Sequence, residues 1–180
     1  VCPRCAQRRP GFEFADSLYE YSGAVADAIQ FAKYAPATWP LRHLEAAFGP
    51  WLCERLDRLD GPFDLTTVPM HRRDLAHRGF HLARMVLARA ARRDCRLRSR
   101  VLLTKTRCTP PQAGLTLGER FNNVRGVFET PPNTQLDGRT IVLVDDVMTT
   151  GATADAAARA LRRAGAQRVV VFTIARAAAS

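Results

Sequence analysis

The run Ile141-Val-Leu-Val-Asp-Asp-Val-Met-Thr-Thr-Gly-Ala-Thr153 constrains this chain more than any other stretch. Ile141–Val144 are all apolar, with no polar alternation, which predicts a strand covered on both faces, as in the parallel sheets of α/β proteins. Asp145 and Asp146 follow at once. Thr149-Thr150-Gly151-Ala152-Thr153 then opens an alanine-rich helix running to about Ala164. In open α/β sheets, ligands sit outside the carboxyl ends of the strands. A helix start offers unpaired N–H groups and a positive dipole end, which suit a phosphate. Thr149, Thr150 and Thr153 add hydroxyl donors, and Gly151 lets the backbone come close. Asp145 and Asp146 repel a phosphate. They suit sugar hydroxyls, a Mg²⁺ ion or a developing cation. The plainer alternative is a βα unit whose acids only cap the helix.

Other phosphate motifs are absent from the sequence: neither a G-x-x-x-x-G-K-[ST] loop nor a G-x-G-x-x-G fingerprint occurs. A length of 180 residues suits one domain with a small appendage, and an apolar share of 47% is enough for a core. No run approaches the roughly 18–20 apolar residues of a membrane span, and no secretory leader opens the chain. A cytoplasmic protein is expected. The net charge of +10, carried mostly by arginine, favours polyanionic partners: a nucleic acid or a polyphosphorylated substrate. Lysine is rare and aromatics do not interleave with the arginines, which weakens the case for a base-stacking groove.

The cysteines are five, so they do not form an even disulfide framework. Cys2-Pro-Arg-Cys5 is half of a four-ligand zinc site or, alternatively, a redox C-x-x-C. The chain opens on Val1 rather than Met, so a missing natural start is expected, which could have carried a second pair. Zn²⁺ binding is expected only if that segment supplies two more ligands.

Phe12–Tyr21 reads as one or two short strands. Helices are expected at Gly23–Tyr34 and Pro40–Leu59, from apolar residues at helical spacing. Leu65–Val68 predicts a strand, Met70–Gly79 a basic loop, and Phe80–Arg93 a helix. The loop carries Arg72, Arg73 and Arg78, whose guanidinium forks suit pyrophosphate oxygens. Val101–Thr104 predicts a third strand. Lys105–Phe128 is polar and proline-containing, the character of a lid or binding loop. Within it Gln112, Leu115, Arg120 and Asn123 stand in the order Q-x-x-L-x-x-x-x-R-x-x-N, and Thr116 with Glu119 predicts a helix capping box. Gly126–Thr130 returns as a strand, and Arg168–Ile174 reads as a continuous apolar strand that completes a βαβ crossover.

Residues 142–153 resemble the phosphoribosyl pyrophosphate (PRPP) motif of type I phosphoribosyltransferases. The resemblance implies that Asp145 and Asp146 meet the ribose hydroxyls, and that Thr149, Thr150, Gly151, Ala152 and Thr153 cradle the 5′-phosphate. It also implies that the arginine loop holds pyrophosphate and that a mobile hood closes over the site. Val68-Pro69, Arg78-Gly79-Phe80 and the Gln112–Leu115–Arg120–Asn123 pattern are similar to the competence protein F family. That family implies an α/β fold: a type I phosphoribosyltransferase-like parallel sheet flanked by helices, with a mobile hood. A partial zinc-knuckle appendage over 1–22 would precede the phosphoribosyltransferase-like domain at 23–180. The implied ligand is PRPP with Mg²⁺, and the family is linked to DNA uptake, so single-stranded DNA and a competence helicase are the implied partners. A binding module without catalysis is the alternative to an enzyme. No residue presents itself as general base; His71, His77 and His81 fall in or near the arginine loop.

Overall fold

A computed structural model describes residues 9–34, 39–112 and 114–178. Cys2 and Cys5, the expected half zinc site, lie outside the described residues.

The expected central strand is there and is longer than the apolar run. β5 (Thr140–Met148) includes both acids. It pairs in parallel with β6 (Arg168–Arg176) on one side and with β2 (Phe63–Thr67) on the other. β1 (Phe14–Glu20) adds a parallel edge beyond β6, giving the order β1-β6-β5-β2. Both faces are covered, which is why the run shows no polar alternation. Val142 and Val144 pack with Ile29, Phe48, Leu52 and Leu87 from α1 (Gly23–Tyr34), α2 (Trp39–Leu56) and α4 (Leu82–Ala90). Ile141 and Leu143 pack with Ala157, Ala158 and Leu161 of α6 (Ala152–Arg163). Each buried Val or Leu contributes roughly 1.5–3 kcal/mol. The acids that follow are thus held by one of the best-anchored strands in the molecule. Its amino end is clamped too: Asp64 on β2 is buried, accepts from Arg100 at 2.9 Å and pairs with Arg139.

Three expectations are corrected. The segment assigned to an N-terminal appendage supplies a strand of the main sheet, because Phe14–Glu20 finds a parallel partner in Val170–Arg176. Gly11 ties the segment down further, its amide donating to buried Asp155 at 2.6 Å. The basic stretch Met70–Gly79 is a short helix, α3 (Arg72–Arg78), rather than a loop. His71 accepts the Arg73 amide as a cap, and Gly79, at φ 81°, closes the helix by donating to the Leu75 carbonyl. Finally, Val101–Thr104 does not extend the sheet. Thr66 intercepts it: its hydroxyl donates to the Arg100 carbonyl at 2.9 Å and accepts the Leu102 amide at 3.4 Å. A side chain thereby takes contacts that a backbone ladder would make. Only β3 (Thr104–Lys105) is a strand, paired antiparallel with β4 (Phe128–Glu129) in a separate two-stranded ribbon.

Candidate functional site

The site is built at the carboxyl ends of β5 and β2. Asp145 and Asp146 each accept the amide of the residue that follows, Asp146 N–H at 2.9 Å and Val147 N–H at 2.8 Å. The strand's facing switches across the pair: Val144 packs with the α1/α2/α4 core, whereas Met148, four residues on, packs with the α6 core. The two carboxylates are half-buried. They form a set of hard oxygen donors, the kind that suits Mg²⁺ or hydroxyl protons.

The chain then turns through Thr149 and Thr150 to Gly151, whose φ of 79° is a left-handed conformation that favours glycine. Gly151 is the cap of α6, makes no side-chain cap bond, and its carbonyl accepts the Asp155 amide at 2.8 Å. The cap position of α6 therefore carries no side chain, which suits close approach by an anion. Thr150 Oγ1 accepts the Ala152 amide at 3.4 Å. The hollow over this turn is lined by residues 149–154 together with Gln112, Asp145 and Thr173.

The polar stretch after β3 folds over that turn. β3 and β4 pair at its base, and α5 (Leu117–Asn123) lies within it. α5 starts with the expected capping box: the Thr116 amide donates to Glu119 at 2.8 Å and the Glu119 amide to Thr116 Oγ1 at 3.4 Å. The four singled-out residues are brought to one place. Gln112 Nε2 donates to Thr153 Oγ1 at 2.9 Å, and Arg120 Nη1 lies 3.4 Å from Thr149 Oγ1. Arg120 Nε also donates to the Leu115 carbonyl at 2.9 Å, and Asn123 Nδ2 to the Pro110 carbonyl at 3.0 Å. Thus Gln112 and Arg120 reach the threonine turn, while Leu115 and Asn123 shape the loop that carries them.

β2 leaves the sheet beside the acids, since the Val68 amide donates to the Val144 carbonyl at 2.9 Å. The arginines on the element that follows do not converge. Arg72 and Arg73 are exposed on α3, and half-buried Arg78 contacts the Met70 sulfur at 3.8 Å.

Sequence reasoning left three residues of this region without a role. Thr173 is fully buried on β6 opposite Asp145, and its hydroxyl lies 2.7 Å from Ser17 Oγ. A polar residue inside the run Val169–Ile174 was the available signal. Asp155, in the first turn of α6, is buried and receives Gly11 and Arg159. His81 caps α4: its Nε2 donates to the Val68 carbonyl at 2.7 Å, and its Nδ1 accepts the Arg84 amide at 3.3 Å. Both ring nitrogens are occupied, so this imidazole is not a metal ligand.

Burial pushes the His81 imidazole below its usual value, against the Val68 hydrogen bond and the charge of Asp146, which pull it up. The unfolded chain takes up this proton near pH 6.5, whereas the folded chain resists it. The stability linked to neutral His81 is therefore complete above about pH 6.5 and is lost as pH falls below that value. Thermal melts of the parent should weaken from about pH 6.5 to 5, and His81→Asn, which can still cap the helix, should show a shallower fall. Equal slopes would remove His81 from the account.

The strand, acid pair, threonine–glycine turn and helix define a phosphoribosyltransferase-type protein, and residues 78–180 match the phosphoribosyl transferase domain family. The chain is 30% identical to the DNA utilization protein YhgH of Escherichia coli (strain K12) over 182 residues, covering 97% of this chain and 77% of that protein. It is 28% identical to the protein of the same name from Salmonella typhimurium, with the same coverage. It is 24% identical to Competence protein F of Haemophilus influenzae over 179 residues, or 98% of this chain and 78% of that one. The chain belongs to the competence protein F family of phosphoribosyltransferase-domain proteins. No helix among the described residues is long and apolar enough to cross a membrane.

Proposed function

We propose that this protein binds PRPP with Mg²⁺ at the carboxyl end of β5, in the cytoplasm, as a phosphoribosyltransferase-like member of the competence family. The observation that carries the reading is the juxtaposition at one strand end of an acid pair and a helix start capped by Gly151 at φ 79°. Thr149, Thr150, Gly151, Ala152 and Thr153 take the 5′-phosphate through N–H groups and hydroxyls. Asp145 and Asp146 accept the ribose hydroxyl protons, and their oxygens suit the ion that travels with the pyrophosphate. When bound, Mg²⁺ supplies neutralisation of leaving-group charge. Arg72, Arg73 and Arg78 serve the pyrophosphate, which asks α3 to move or its side chains to swing inward. In a transfer reaction the bond from the anomeric carbon to pyrophosphate breaks, and the acids stabilise the positive charge that develops there. The acceptor is left unassigned.

The hood belongs to the same reading. Gln112 and Arg120 hold it on the threonine turn, so a ligand in the turn competes for those contacts and replaces them with its own. Amide exchange over residues 105–126 is expected to slow on adding Mg-PRPP. Equal, slow exchange with and without ligand would count against a hood.

A second reading, a DNA-binding module or a docking partner for a competence helicase, is favoured by a basic surface along α6 that reaches the edge of this site. Two hollows meet at Arg159 and Arg163; one adds Arg162 and Arg168, the other Arg125. The printed names of the relatives, DNA utilization protein and Competence protein F, point the same way. Calorimetry with Mg-PRPP and, separately, with single-stranded DNA tests both readings. Saturable Mg-PRPP binding supports the first, and its absence overturns it. DNA binding with a log–log salt slope of about −0.7 per neutralised phosphate supports the second, and a slope near zero overturns it.

A further inference from the structure

Where the hood leaves the sheet, three ligand-bearing side chains from two separate stretches meet. His71 caps α3, Asp74 stands in its first turn, and Cys108 follows β3 at the base of the hood. One ligand atom from each lies within 4.8 Å of the other two, and Cys108 Sγ is 3.1 Å from Asp74 Oδ1. None of the three has a part in the PRPP reading. We propose that His71, Asp74 and Cys108 bind a divalent transition metal, Zn²⁺ by their chemistry, and that the ion ties the hood to α3.

The donor set decides the metal. Thiolate and imidazole are too soft for Mg²⁺ or Ca²⁺, whereas a mixed sulfur, nitrogen and oxygen set suits zinc. Zinc bonds of about 2.0–2.3 Å place tetrahedral ligand atoms roughly 3.3–3.8 Å apart, so pairs near the 4.8 Å limit close by about an ångström and the Cys108–Asp74 pair, now at 3.1 Å, opens slightly. Charge balances as well: one thiolate and one carboxylate cancel the ion's two positive charges. Binding releases the Cys108 thiol proton to solvent. Three existing contacts give way, the first being the Cys108 thiol's own hydrogen bond to Asp74, lost with its proton. Lys105 Nζ, 3.6 Å from Asp74 Oδ2, moves off the carboxylate, and the 3.2 Å cap bond from the Arg73 amide to His71 Nδ1 is exchanged for the metal bond or broken by the tautomer change. The Lys105 and Arg73 contacts are at the long end of their ranges and are therefore weak. Cys108 is exposed and the other two are half-exposed, which provides an entry path. Three protein ligands leave one position for water or an anion.

The test uses the whole chain with Cys2→Ser and Cys5→Ser, so that the N-terminal cysteine pair cannot contribute. Titration with Co²⁺ is expected to give one ion per chain and a sulfur-to-cobalt charge-transfer band, both reversed by Zn²⁺. Cys108→Ser should abolish the band, whereas Cys95→Ser, at an exposed thiol elsewhere, should leave it unchanged. His71→Asn keeps a cap for α3 and removes the imidazole. It should weaken binding by more than the roughly 10–100-fold that loss of an outer-shell partner alone causes. A band that survives Cys108→Ser, or no cobalt binding by the parent at micromolar concentration, overturns the proposal. Because PRPP is absent from the titration, failure here leaves the PRPP reading untouched.

Discussion

Replacing Asp145 and Asp146 together by asparagine is expected to reduce Mg-PRPP affinity by two or more orders of magnitude while the fold survives. Each hydrogen bond to a charged acceptor contributes about 1.5–3 kcal/mol. Two such losses sum to roughly 3–6 kcal/mol, or about 100- to 10,000-fold in Kd. The residues are neighbours, so the effects couple and the upper figure is a ceiling. The fold should hold because asparagine keeps a side-chain oxygen that can accept the next amide, as both aspartates do here at 2.9 and 2.8 Å. The charge goes, and the strand geometry stays. Calorimetry on the double variant, with circular dichroism as the fold control, checks this. Affinity equal to the parent's would show the site assignment to be wrong.

Gly151→Val should act through the backbone. At φ 79° a β-branched residue is strained, by roughly 1–3 kcal/mol. A Cβ there would also stand 3.2 Å from Met148 Cε. That methyl is the end of a flexible side chain and can shift, so the dihedral dominates. Relief would require φ to turn negative, which re-aims the carbonyl that receives the Asp155 amide and so the first turn of α6. Two effects are expected together: a lower melting temperature and loss of phosphate-dependent ligand binding. Gly151→Asn is the milder comparison, because asparagine tolerates the left-handed region. If the valine variant binds Mg-PRPP like the parent, close backbone approach at this turn is not needed.

Much of the framework was legible in the residues because it rests on local chemistry. Ile141–Val144 announced a strand covered on both faces, and its burial follows from four apolar side chains with no polar one between them. Thr116 and Glu119 announced their capping box, a contact complete within one helical turn. The pattern Gln112–Leu115–Arg120–Asn123 could be singled out, but its use could not. Gln112 meets Thr153 and Arg120 meets Thr149 across 41 and 29 residues of chain, separations that periodicity does not encode. The misread elements share that cause. Phe14–Glu20 carries nothing to say that its partner is β6, so its place at the sheet edge was decided by a parallel pairing 156 residues away in sequence. Val101–Thr104 has strand chemistry, yet the Thr66 hydroxyl, from the neighbouring strand, took its hydrogen bonds. His71, Asp74 and Cys108 read singly as a cap, a first-turn acid and a spare thiol. Only the packing of the hood base against α3 brings their ligand atoms together, because no local rule links a helix cap to a cysteine 37 residues downstream.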